Sequence, residues 1–260
     1  MLSRRGFLLH STIFTTGSIL LPSFTYASDI KQHFGVQLYS FRNEMAKDAI
    51  GTLTQIASLG FKEIETARSQ KGHYYGLAPA EMKSVCKDLE MNLKSGHVHL
   101  DDKWQQTMEE AVESGQEYLI CSSMPSNGQS VDNYKKVAEE FNKAGEACKK
   151  LNLKFGYHNH EYEFESENNQ VLYDVLLNNT EADLVHMELD LGWVITVGKD
   201  PLDMDKKEST EFGKGGLDIP TMMAHRKESG VKHIFIEQEE YATNPLDSMK
   251  HNMAFLKNLS

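Results

Sequence analysis

The segment Leu153-Lys-Phe-Gly-Tyr-His-Asn-His160 begins as an apolar run suited to a β-strand. It ends in side chains that bind metals or move protons. Side chains on a strand point alternately to its two faces, so Gly156, His158 and His160 are predicted to share one face. Two imidazoles at the end of one strand face make this segment the first candidate for a functional site.

Two later segments have the same form. They are residues 184–190, with His186, Glu188 and Asp190 on one face, and residues 233–239, with His233, Phe235, Glu237 and Glu239 on one face. The carboxyl ends of parallel barrel strands lie at one mouth, and barrel enzymes carry their active sites there. The three segments together predict a site at the mouth of a parallel barrel.

Predicted strands and helices alternate along the chain. The strands are residues 34–40, 61–67, 93–100, 118–123, 153–160, 184–191 and 233–238, and the helices are residues 49–59, 79–89, 104–114, 131–151, 171–178, 219–229 and 246–259. Strict alternation predicts parallel strands joined by right-handed crossovers. The fold class is therefore α/β, and the architecture is a (β/α)8 TIM barrel.

The alternation fails at one place. Residues 194–219 contain neither an amphipathic helix nor an apolar run of strand length, and residues 199–216 within them are predicted to be a loop throughout. Seven strands are then available where a closed barrel of this kind needs eight. We therefore expect one β/α unit, around strand seven, to be missing or distorted.

The first residues have the pattern of an export signal. Arg4 and Arg5 form a twin-arginine pair, residues 13–21 are apolar, and Ala27 ends a small-residue cleavage site before Ser28. We expect residues 1–27 to be removed and residues 28–260 to form the barrel domain in the periplasm. The alternative is a retained membrane anchor, for which the interrupted apolar stretch is short.

Composition excludes some classes of partner. The net charge is −11, which disfavours nucleic acid because its phosphates would be repelled. Cys86, Cys121 and Cys148 show no paired spacing, so they are predicted to be buried apolar residues and not disulfides or a zinc site. We expect a small carbohydrate as partner and no stable membrane insertion after signal removal, and an oligomer is compatible with the sequence.

Five motifs in this order resemble the sugar phosphate isomerase/epimerase family of the xylose isomerase-like TIM-barrel superfamily. They are Val36-Gln-Leu-Tyr-Ser-Phe-Arg42, Gly156-Tyr-His-Asn-His160, Glu188-Leu-Asp-Leu-Gly-Trp193, Gly213-Lys-Gly215 with Asp218, and Ile236-Glu-Gln-Glu-Glu-Tyr241. The resemblance covers nearly all of the chain after the signal. It implies one divalent metal ion at the barrel mouth, held by ligands from strands five to eight.

The resemblance assigns ligands residue by residue. His158 stands where the family usually has a glutamate on strand five, Asp190 matches the ligand of strand six, and Glu237 matches the ligand of strand eight. The strand-seven ligand, a histidine within a His-x-Lys-Asp motif, has no counterpart here. One imidazole and two carboxylates suit Mn²⁺, Zn²⁺, Fe²⁺ or Co²⁺.

The resemblance also implies roles around the metal. The catalytic candidates are Glu237 as ligand and base, Glu65 as its partner, and His160; the substrate-binding candidates are His97, Trp193 and Gln37. Plainer roles stand beside these. Glu65 could form a structural salt bridge, Asp190 could cap a loop, Glu237 could be a surface charge, and both histidines could be hydrogen-bonded core residues. The glutamates at 161, 163 and 165 are predicted to form a solvated edge.

Three functions follow as hypotheses. The first is a metal-dependent isomerase or epimerase that acts on a sugar or sugar derivative through an enediolate. The second uses the same metal site for elimination or hydration next to a keto group, as a lyase or hydratase of keto-sugars or keto-glycosides. The third is a degenerate barrel that binds carbohydrate without catalysis, which the missing ligand strand would favour.

Overall fold

A computed structural model describes residues 34–197, 209–226 and 228–259. The predicted export signal lies outside the described residues. The strands are β1 Gly35–Gln37, β2 Glu63–Thr66, β3 Asn92–Val98, β4 Tyr118–Cys121, β5 Lys154–His158, β6 Ser166–Glu167, β7 Gln170–Val171, β8 Val185–Glu188 and β9 Phe235–Ile236. Seven of them form a curled parallel sheet in the order β8-β5-β4-β3-β2-β1-β9, and β6 and β7 form a separate two-stranded hairpin.

Helices follow most of the strands and cover the outside of the sheet. The α-helices are Arg42–Lys47, Ala49–Ser58, Pro79–Asp88, Trp104–Ser114, Val131–Lys150, Leu172–Asn179, Leu191–Thr196, Ile219–His225 and Pro245–Lys257, and short 3-10 helices span Leu38–Phe41 and Tyr162–Phe164. Among the described residues, no helix combines the length and apolar character that crossing a membrane requires.

The helix Val131–Lys150 shows how the sequence builds the layer outside the sheet. Ser130 caps its amino end by accepting a hydrogen bond from the Asn133 N–H at 3.2 Å. One face of the helix is apolar and buried, and Phe141 on that face lies 5.3 Å from the ring of Phe155 on β5. The edge of the Trp104 ring packs on the same phenylalanine at 5.8 Å. These rings fix β5, the strand that ends in His158.

The sheet does not close into a complete barrel in the described part of the chain. Its two edges are β8 and β9, and no ladder of hydrogen bonds joins them. Residues 209–218 contain neither helix nor strand, and residues 198–208 lie outside the described residues. The α/β fold with a curled parallel sheet is thereby confirmed, and a missing or distorted β/α unit around strand seven is consistent with the described part of the chain.

Side chains inside the sheet connect the two edges at the amino ends of the strands. The ring of Tyr118 on β4 lies 5.8 Å from the ring of His186 on β8 and 5.5 Å from that of His233, which precedes β9. His233 Nδ1 also lies 3.0 Å from a carboxylate oxygen of Glu63. His186 and His233 thus belong to the floor of the barrel and not to the mouth.

Several predicted boundaries are wrong in an instructive way. The first strand ends at Gln37, because the chain turns there into a 3-10 helix instead of continuing to residue 40. The expectation that no helix occurs from residue 194 onward was wrong at its start, since the helix Leu191–Thr196 extends into that stretch. The helix Arg42–Lys47 was not predicted. The three cysteines are buried and free, as predicted.

Candidate functional site

The carboxyl ends of the strands carry a layer of polar side chains inside the barrel mouth. These residues are Gln37 of β1, Glu65 of β2, His97 of β3, His158 of β5, Glu188 of β8 and Glu237 directly after β9. Strand register sets their level, because His158 and Glu188 are directly paired on the neighbouring strands β5 and β8. Sites of parallel barrels form at this end.

The three predicted metal ligands come together in this layer. His158, Asp190 and Glu237 each offer one donor atom, and these atoms all lie within 4.8 Å of one another. His158 Nε2 lies 3.9 Å from Asp190 Oδ2. His158 is buried, whereas both carboxylates are partly exposed toward the mouth. Their role as ligands stays a prediction, but the geometry required for it is present.

Asp190 has two separate environments for its carboxylate oxygens. Its Oδ1 accepts a hydrogen bond from the Trp193 N–H at 3.0 Å and caps the helix Leu191–Thr196. Its Oδ2 faces His158. The backbone N–H of Asp190 donates to Asn159 Oδ1 at 3.0 Å, which ties the turn to the end of β5. The cap and the convergence with His158 therefore coexist in one side chain.

Glu188 is a site residue that the sequence did not single out. Its Oε1 lies 2.9 Å from His97 Nε2 and 2.9 Å from His158 Nδ1. His97, His158 and Glu188 form a second group of three possible metal ligands. The available signal was its placement on the predicted face shared with Asp190, but that pattern does not distinguish the two acids.

Charges in this layer shift one another's pKa values. Burial disfavours the Glu188 carboxylate, yet hydrogen bonds from His158 and His97 hold its pKa far below the usual range. Burial also opposes the charged form of His97, but Glu65 and Glu188 raise its pKa well above the ordinary value. Burial acts on His158 in the same direction, and its hydrogen bond with Glu188 raises its pKa overall. Burial raises the pKa of Glu237.

Glu65 lies behind the mouth and not at its surface. It is 1% exposed, and Oε2 accepts a hydrogen bond from the Ser95 hydroxyl at 2.5 Å. Its Oε1 lies 3.2 Å from Gln37 Nε2 and 3.3 Å from His97 Nε2. Burial, and then the nearby Glu188 carboxylate, raise the pKa of Glu65 to about 7.

Gln37 is fully buried, and its amide is occupied on both sides. Its Nε2 faces Glu65, and its Oε1 accepts a hydrogen bond from the Tyr39 N–H at 2.7 Å. The Gln37 side chain therefore holds the Glu65 carboxylate from the neighbouring strand β1. The predicted substrate contacts of Gln37 and His97 stay predictions.

The rings of His160, Tyr162 and Trp193 form an aromatic wall next to His158. The imidazole of His160 stacks on the ring of Tyr162, with centroids 5.4 Å apart and planes inclined by 10°. The ring of Trp193 lies 6.0 Å from that of His160. Burial, together with the neighbouring His158 and His97, lowers the pKa of His160 to about 4. His160 is therefore a neutral imidazole at physiological pH.

The solvated edge predicted for residues 161–165 was wrong for Glu163. The 3-10 helix Tyr162–Phe164 turns this side chain inward, where it is fully buried. It accepts hydrogen bonds from the Tyr157 hydroxyl and, at 2.9 Å, from the His160 N–H. Burial raises its pKa. Glu163 thus holds the backbone at the end of β5.

Replacement of Glu65 by glutamine should change how stability depends on pH. The folded-state pKa of about 7 exceeds the ordinary 4.5, so the folded state holds this proton more tightly than the unfolded state. The stability that this contributes is fully present below pH 4.5 and is lost as pH rises to about 7. The free energy of unfolding of wild type relative to Glu65→Gln should therefore fall across that window.

Urea unfolding at several pH values measures this difference. Glu109→Gln, on an exposed helix face, serves as the control and should show no such trend. A difference between wild type and Glu65→Gln that stays constant from pH 4.5 to pH 8 would contradict the raised pKa.

Comparison with known proteins supports the fold but does not identify one particular activity. No family model and no curated protein matches the chain. A sugar phosphate isomerase/epimerase from Parabacteroides distasonis is 22% identical, with 91% of this chain and 98% of that one covered and a TM-score of 0.77. An L-ribulose 3-epimerase is 14% identical, covering 88% of this chain and 94% of its own, with a TM-score of 0.68.

A third solved structure is that of the IOLI protein with a bound zinc atom. It is 10% identical, covers 88% of this chain and 98% of its own, and has a TM-score of 0.65. Identities this low show the shared fold alone. The α/β TIM-barrel architecture expected from the sequence is therefore confirmed.

Proposed function

We propose that the chain is a divalent-metal-dependent isomerase or epimerase that acts on a sugar or sugar derivative through an enediolate. The observation that carries this proposal is the convergence of His158, Asp190 and Glu237 within 4.8 Å at the barrel mouth. Sugar isomerases and epimerases among the structures with this fold support the class of reaction. Because one fold hosts many activities, the proposal depends mainly on the site.

The donor atoms fit a divalent metal ion. An imidazole nitrogen and two carboxylate oxygens suit Zn²⁺, Mn²⁺, Fe²⁺ or Co²⁺. Three protein ligands are the number that catalytic zinc sites use, since a position must stay open for water or substrate. A bound ion would supply Lewis-acid chemistry, which lowers the pKa of a C–H next to a carbonyl.

The chain's own residues would move the proton. Epimerisation requires one group to remove a proton from carbon and a second group to return one. Glu237 is assigned the first role, because its partly exposed carboxylate faces the mouth and burial raises its pKa. Glu65 is assigned the second role, because its pKa of about 7 lets it hold a proton near neutral pH.

The aromatic wall is assigned to substrate binding. The rings of His160, Tyr162 and Trp193 lie beside the three proposed ligands. Their flat apolar faces match the C–H face of a sugar ring, and His97 is assigned to a sugar hydroxyl group. The neutral state of His160 suits an uncharged carbohydrate.

Metal analysis followed by NMR in D₂O tests the proposed function. Purified protein is loaded with Zn²⁺, Mn²⁺ or Co²⁺ and incubated with keto and aldo sugars. Deuterium incorporation next to the carbonyl, without loss of a β-substituent, is the expected result. β-Elimination would favour the lyase hypothesis instead. Sugar binding without bound metal and without deuterium exchange would favour the non-catalytic barrel. The sheet that stays open in the described part of the chain is the observation in favour of that hypothesis.

Export from the cytoplasm is a further part of the proposal. Replacing Arg4 and Arg5 by lysine keeps the charge but removes the twin-arginine pattern, so export should stop and unprocessed protein should remain in the cytoplasm. Cell fractionation and N-terminal sequencing measure this, with mature wild type expected to begin near Ser28. An unchanged periplasmic yield of the double variant would contradict the signal.

A further inference from the structure

The carboxylate of Glu188 joins two histidines of the barrel mouth. We propose that Glu188 is a positioning residue that fixes the ring orientation and tautomer of His158, so that His158 Nε2 presents its lone pair to Asp190 and Glu237. This inference rests on the proposed function, because it assigns Glu188 to the same metal site. It concerns a residue of the third motif that had no predicted role as ligand, catalytic or substrate-binding residue.

Strand register places Glu188 beside His158. The two residues are directly paired on the parallel strands β5 and β8, and both point into the barrel. Glu188 Oε1 lies 2.9 Å from His158 Nδ1. The same oxygen lies 2.9 Å from His97 Nε2. Two short contacts to one oxygen define its position and leave the His158 ring little freedom to rotate.

The hydrogen-bonding roles follow from chemistry. An ionised carboxylate only accepts hydrogen bonds, so a neutral His158 must carry its proton on Nδ1 to make this contact. Its Nε2 then has a lone pair, and Nε2 is the nitrogen that lies 3.9 Å from Asp190 Oδ2. A metal-binding histidine commonly donates its other ring N–H to a carboxylate in this way.

The charged groups around His158 act on its ring from all sides. They are His97, His160, Glu188, Asp190 and Glu237. Among the described residues of this group, only Glu188 lies within hydrogen-bond distance of a His158 ring nitrogen. Glu188 is thus the group positioned to select the tautomer.

Histidine NMR tests the tautomer without any metal. In ¹⁵N-histidine-labelled, metal-free full-length protein, at a pH where the His158 ring is neutral, wild type should show the proton on Nδ1. Glu188→Ala should lose this preference, with the fold intact by circular dichroism. A proton on Nε2 in wild type, or an unchanged Nδ1 proton in Glu188→Ala, would overturn the proposal.

Metal titration tests the consequence. Co²⁺ absorbance should give one bound ion per chain in wild type, and Glu188→Gln and Glu188→Ala should bind one ion about 10–100-fold more weakly. The control is Glu163→Gln, which also removes a buried carboxylate but touches none of the three proposed ligands, and it should bind close to wild type.

The outcomes separate the inference from the proposed function. Equal affinity of wild type and Glu188→Gln would overturn the positioning role while leaving the metal site in place. Two ions in wild type and one in both Glu188 variants would also overturn it, because Glu188 would then be a ligand of a second site with His97. If wild type bound no metal, the proposed function would fail, and the NMR result would still decide the tautomer.

Discussion

Asp190→Ala is expected to abolish both metal binding and sugar turnover. The Asp190 carboxylate is one of the three groups that converge on the proposed metal position, and the fourth ligand expected from strand seven has no counterpart in the sequence. With two ligands left, the ion should be lost on dialysis, and deuterium exchange should fall to background. Metal analysis and NMR in D₂O measure the two effects.

A matched variant separates the metal role of Asp190 from its structural role. Alanine also removes the cap on the Trp193 N–H, which costs about 1 kcal/mol of stability. Asp190→Asn keeps an oxygen for that cap but removes the negative charge. We therefore expect both variants to lose metal and turnover, and only Asp190→Ala to be less stable. Turnover that persists in Asp190→Asn would exclude a metal mechanism through this residue.

Phe155→Ala is expected to cost about 3–5 kcal/mol of stability, the range for a large aromatic side chain deleted from a core. Phe155 is fully buried on β5, between the rings of Trp104 and Phe141. Total stabilities of natural domains are about 5–15 kcal/mol, so this variant should lose a large share of the protein's stability. Because β5 also ends in His158, metal affinity should fall with stability.

Urea unfolding followed by circular dichroism measures the loss. Val112→Ala is the control, because this valine is 47% exposed and its truncation should change stability by no more than about 0.5 kcal/mol. A loss below about 1 kcal/mol for Phe155→Ala would mean that the core around β5 can repack, contrary to the interdigitated rings seen here.

The fold was predictable because its signals are local and repeated. Apolar strands that alternate with amphipathic helices specify parallel β/α units, and the unpatterned residues after Trp193 indicated where one unit fails. Short elements were missed, since a helix of six residues such as Leu191–Thr196 shows too few turns to establish a period. Only the cap by Asp190 marks its beginning, and that depends on three-dimensional geometry.

The site was predictable in part for a related reason. The alternation of side chains between the two faces of a strand predicted that His158, Asp190 and Glu237 point toward one mouth. The structure brings them together there. This alternation cannot tell Glu188 from Asp190, because the difference comes from the register between β5 and β8. Glu163 was misjudged because a string of alternating acids is usually solvated, whereas here Tyr157 and a tight turn draw it into the interior.

The open seam between β8 and β9 gives the proposed ion a mechanical role as well as a chemical one. Asp190 follows one edge strand, and Glu237 follows the other. An ion bound by both residues would form a removable link between the two edge strands of the sheet. Ligand saturation at about 100 times the dissociation constant adds about 2.7 kcal/mol to the folded state. In this barrel, that free energy would come from an ion that joins the two edges at the mouth, in addition to the rings that join them at the floor.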